Sequence, residues 1–107
     1  MSGDDDMEEC PPRPEFPGAL VRSMRIVNKK GLHARATAKF VQCADRFEAD
    51  IKVHRCGETV GGSSIMGILT LGAGLGSTII VAATGAQARE AIEAIDALVA
   101  GKFGEDS

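Results

Sequence analysis

The 107 residues are enough for one small domain. Aromatics make up 4% of the chain and Trp and Tyr are absent, so the core must be aliphatic; a net charge of −3 is too mild to indicate nucleic-acid binding or membrane insertion. Three cysteines without a CxxC pair, and no signal peptide, predict free thiols in a reducing cytoplasm and not a disulfide framework.

Residues 1–18 hold all four prolines and six acids against one base, a composition that predicts a disordered tail. Residues 20–27 place Leu20, Met24 and Ile26 among polar neighbours, as a half-buried strand does. Gly31 breaks that strand, and the spacing of Ala36, Phe40, Ala44 and Phe47 then predicts a helix over 34–47. Ile51 and Val53 alternate with polar residues in a strand over 49–55, and Cys56-Gly57-Glu58 turns into a short strand through Val60. His54 is expected on the surface of that hairpin.

The run 59–88 has no charged side chain, but its seven glycines leave no continuous apolar stretch of about 20 residues for a membrane span. It divides into a short apolar helix over 64–71 with Ser64 at its N-cap, a turn at Gly72, Gly74 and Gly76, and a β-branched strand over 78–83. A last helix over 87–100 carries an apolar stripe and stops at Gly101, and residues 103–107 are expected to fray. The order predicts an α+β fold: an open-faced βαββαβα sandwich over 19–102, with three helices on one face of a four-stranded, mostly antiparallel sheet.

The stretch Lys30-Gly-Leu-His-Ala-Arg-Ala-Thr37 puts His33 at the strand-to-helix turn. The amides of Ala34 and Arg35 have no intrahelical acceptors there, and with the helix dipole they favour an anion by roughly 0.3–1 kcal/mol. Arg35 adds a guanidinium suited to phosphate oxygens. A neutral imidazole in this setting could accept a phosphoryl group, or His33 could be a simple helix cap. Nine Lys/Arg against three acids over 22–55 would suit an acidic partner, or be an ordinary solvated surface.

Two motifs in this order, G-L-H-A-R-A-T and E-T-V-G-G-S-S-I-M-G, followed by a Gly-rich turn before TIIVAATG, closely resemble the HPr family. These are the histidine-containing phosphocarriers of the bacterial phosphotransferase system. The resemblance covers about residues 20–101 and implies that His33 takes phosphate on Nδ1 from phosphoenolpyruvate-charged enzyme I. His33 would pass it to an enzyme IIA-type protein, with Arg35 steadying the phosphoryl group. It further implies regulatory phosphorylation of Ser64 by HPr kinase/phosphorylase, and docking through Ile65, Met66 and Leu69. Such a protein is a cytoplasmic monomer, a carrier and not an enzyme, with no cofactor and no metal of its own.

The chain departs from the family pattern at two places. Ala36 stands where many members have proline, which should leave the first helical turn less rigid. Gly61-Gly62-Ser63 replaces larger, often basic residues, which should make the loop before Ser64 more flexible and weaken kinase recognition. A purely regulatory relative acting through Ser64 would typically lack the histidine that is present here. A ferredoxin-like metal carrier would want CxxC where the chain has KGLHAR. Sugar-linked and nitrogen-type relays share the same residues.

Overall fold

The computed structural model describes residues 10–107. Strands β1 (Leu20–Arg25), β2 (Asp50–Arg55), β3 (Glu58–Gly61) and β4 (Thr78–Thr84) alternate with helices α1 (Ala34–Ala44), α2 (Ile65–Thr70) and α3 (Ala88–Ala100), and a 3-10 turn spans Lys102–Gly104. The sheet order is β1-β4-β2-β3 and every neighbouring pair is antiparallel. This is the expected α+β architecture.

Period-two alternation sets the two sheet faces. Met24 pairs with Ile79 and Val53 with Val81, and all four are buried with Ile51 and Ala83 in the aliphatic core. The helices complete that core with Ala36 and Phe40 from α1, Ile68 from α2, and Ala91, Ile92, Ile95 and Val99 from α3. Helix α1 ends at Ala44, three residues before the expected end at 47. Asp45 caps it, and the Arg46 and Phe47 amides close tighter turns onto Cys43 and Ala44 while Phe47 still packs against the core. The apolar spacing therefore outlasted the helix, because the chain must turn there to enter β2.

Three expectations need correcting. Cys10 and Cys56 form a disulfide, and Cys43 alone is free, buried on α1. The Cys56–Gly57 turn brings the thiol against the N-terminal segment, a proximity that no sequence spacing announces. Second, His54 is 3% exposed, not on the surface. Its Nδ1 lies 2.8 Å from Thr59 Oγ1, and Phe16 meets its ring edge-on with centroids 6.4 Å apart. The alternation did put His54 on the face away from the helices, but the segment before β1 covers that face.

Of the expected tail, residues 1–9 lie outside the described residues, while residues 10–16 form no helix or strand yet lie against the sheet through Phe16 and the disulfide. Third, the stretch after α3 does not fray at Phe103, which is fully buried, with its carbonyl accepting from Lys39 Nζ at 2.7 Å. A large aromatic side chain this close to the core gains enough from burial to order its neighbours.

Candidate phosphoryl-accepting site

The loop before α1 is held by backbone contacts that only glycine permits. Gly31 adopts φ +67°, and a Cβ there would lie 2.6 Å from the Ala73 carbonyl oxygen and 2.7 Å from Gly74 Cα. That close approach lets the Leu32 amide donate to the Ala73 carbonyl at 2.9 Å. Thr37 Oγ1, fully buried, donates back to the Leu32 carbonyl at 3.1 Å. Residues on both sides of His33 are thus fixed before its side chain is considered.

His33 is the N-cap of α1, and its carbonyl accepts from the Thr37 amide at 2.8 Å, but its side chain makes no cap hydrogen bond. The ring points elsewhere: Nε2 lies 2.5 Å from Glu105 Oε2. The other carboxylate oxygen, Oε1, accepts from Asn28 Nδ2 at 3.0 Å, and the same amide group donates to the Gly31 carbonyl at 2.9 Å. Asn28 is fully buried, with its Oδ1 unpartnered. The hydrogen bonds from His33 and then from Asn28 hold the Glu105 carboxyl below its ordinary range.

Arg35 is exposed in the first turn of the same helix end, two residues after His33. With Lys30, Glu105, Asp106 and Ser107 it lines a shallow depression of about 170 Å³. Lys30 and Arg35 bring cations to this depression and Glu105 and Asp106 bring carboxylates; His33 does not line it but contacts its Glu105 wall through Nε2. Ala36, the residue after Arg35, is fully buried in the core. Among the described residues no His/Cys/Asp/Glu group could hold a metal ion, and no helix is long and apolar enough to cross a membrane.

Ser64 sits apart from this site, as the N-cap of α2. Its Oγ accepts from the Gly67 amide at 3.0 Å, whereas Ser63 Oγ donates to Asp45 Oδ1 at 2.9 Å. The adjacent serines are thus chemically distinct: one completes a helix end and the other closes onto a carboxylate. Gly62 is no open hinge, because its amide donates to the Ile51 carbonyl at 2.7 Å and a Cβ would lie 2.7 Å from the Ile51 side chain. Ile65 is 42% and Met66 70% exposed, while Leu69 is half-buried. Leu75, on the loop packed against Gly31, is also an exposed large apolar side chain, at 61%, and sequence reading did not single it out.

Asn28 and Glu105 were also missed. The signal that could have found them was Phe103, an anchor of the kind that brings its neighbours back onto the domain.

Comparison with known proteins converges on one family. A family model described as "PTS HPr component phosphorylation site" matches residues 20–101. The chain is 46% identical over 86 residues to the phosphocarrier protein HPr of Cupriavidus necator, an alignment covering 80% of this chain and 97% of that one. It is 41% identical over 88 residues to the phosphocarrier protein NPr of Shewanella violacea, covering 82% and 97%. The crystal structure of HPr from Thermoanaerobacter tengcongensis superposes with a TM-score of 0.79 at 41% identity, covering 82% of this chain and 99% of that one.

Proposed function

Because the chain belongs to the HPr family of the phosphotransferase system, whose members carry a phosphoryl group and are not enzymes, we propose that His33 is its phosphoryl acceptor. One observation carries this reading. The imidazole stands at a helix N-terminus without hydrogen-bonding as its cap, with Nε2 on the Glu105 carboxylate and Arg35 two residues further along the same helix end. Nδ1 receives the group from enzyme I charged by phosphoenolpyruvate and yields it to an enzyme IIA-type protein. The Ala34 and Arg35 amides and the Arg35 side chain offset the charge on the phosphoryl oxygens. We assign this activity to residues 19–102 together with the turn through Glu105.

Incubation with enzyme I and labelled phosphoenolpyruvate should give an acid-labile adduct on the wild-type chain and none on His33→Ala. Equal labelling of that variant would exclude His33.

Docking is assigned to Ile65, Met66 and Leu69. Exposed apolar side chains on a chain that also presents Lys30 and Arg35 suit brief contacts with acidic partners. Ser64 is assigned as the target of HPr kinase/phosphorylase, since a phosphate there adds about −1.5 to −2 charge inside the docking patch and weakens enzyme I binding. The protein acts as a monomer in the cytoplasm, where the Cys10–Cys56 bridge is open to reduction by the glutathione pool.

A further inference from the structure

We propose that Glu105 is a positioning residue for His33: it fixes the imidazole as the Nε2–H tautomer, so that Nδ1 presents its lone pair to the incoming phosphorus. This inference rests on the reading of His33 as acceptor and adds a residue to it.

A carboxylate can only accept, so the 2.5 Å contact between Nε2 and Glu105 Oε2 places the proton of a neutral ring on Nε2. The hydrogen bond made by one ring nitrogen decides the state of the other. The carboxylate is itself oriented, because Asn28 Nδ2 bridges Glu105 Oε1 and the Gly31 carbonyl, two residues before His33. Asn28 is fully buried, so the bridge is a fixed part of the loop. The contact is not a by-product of chain direction either. Glu105 lies 72 residues from His33 and arrives through the buried Phe103 and the Lys39 hydrogen bond to the Phe103 carbonyl.

The step balances without another reactant. The Nδ1 lone pair forms the new bond to phosphorus as the donor's bond to phosphorus breaks, and the Nε2 proton stays on the ring. Phosphorylation leaves that ring more positive, and the Glu105 carboxylate is already in place to stabilise it.

The test uses the whole chain with ¹⁵N-labelled histidine, read by long-range ¹H–¹⁵N spectra of His33, together with the kinetics of phosphoryl transfer from enzyme I. Wild type should show the Nε2–H pattern. Glu105→Ala should mix the tautomers and lower kcat on the order of tenfold, the lower end for losing a carboxylate that orients a working imidazole, with KM little changed. Glu105→Gln keeps an acceptor oxygen, so it should restore the Nε2–H pattern and give a rate between the two. A wild-type ring spectrum and rate in Glu105→Ala would overturn the proposal. If the spectrum changes as expected but wild-type His33 takes no label, the acceptor reading fails and the positioning of the ring stands.

Discussion

Lys39 Nζ donates to the Phe103 carbonyl at 2.7 Å, so helix α1 holds both the N-cap histidine and the segment that returns a carboxylate to it. The two halves of the site are therefore anchored to one element. Phe103 is fully buried, and Phe103→Ala should cost about 3–5 kcal/mol in chemical denaturation. The same variant should free Glu105 from His33, seen as a change in the His33 ring resonances under native conditions. A loss below about 1 kcal/mol would show that the aromatic ring is not part of the core.

The Glu105 carboxyl has a lowered pKa through its hydrogen bonds from His33 and Asn28. A lowered folded value means that the contribution to stability is complete above the ordinary glutamate range and is lost as pH falls through the folded value. Following the Glu105 side-chain ¹³C carboxyl shift from neutral pH downward should give a midpoint below that of glutamate in the unfolded chain. A midpoint at or above the unfolded one would contradict the contact.

The Cys10–Cys56 bridge closes a loop across a sequence separation of 46, which the chain-entropy account values at about 4 kcal/mol. Reduction should therefore lower Tm by at least about 10 °C. Burial pushes the Cys43 thiol up, with Arg46 opposing it, so this thiol is both shielded and a poor nucleophile at neutral pH. Under native conditions iodoacetamide should modify nothing before reduction and only Cys10 and Cys56 after it. Modification of Cys43 without denaturant would contradict its burial.

Local chemistry was legible in the sequence, and long-range convergence was not. Alternation in β2 and β4, the apolar spacing of α1 and α3, and the cap at Ser64 are each written within a few neighbouring residues. The placement of His33 and Arg35 at a helix start was legible for the same reason, since a helix start and its amides are local. Glu105 is not part of any period, and its contact with His33 depends on a turn that Phe103 makes possible. His54 failed in the opposite way: its strand face was read correctly, but the cover on that face comes from a proline-rich segment with little apolar content to announce packing. The disulfide has the same origin, because Cys10 and Cys56 meet only once that segment lies against the hairpin turn.

After α3 the backbone takes three consecutive positive φ values, 61° at Lys102, 55° at Phe103 and 78° at Gly104. The two residues with side chains each carry about 1–2 kcal/mol of left-handed cost, which the burial of the phenyl ring offsets. This short reversed coil turns the chain away from the axis of α3 and back across α1. Phase, more than composition, therefore delivers the carboxylate. One residue inserted between Gly101 and Glu105 would swing the acid off the imidazole while leaving every strand and helix of the sandwich intact.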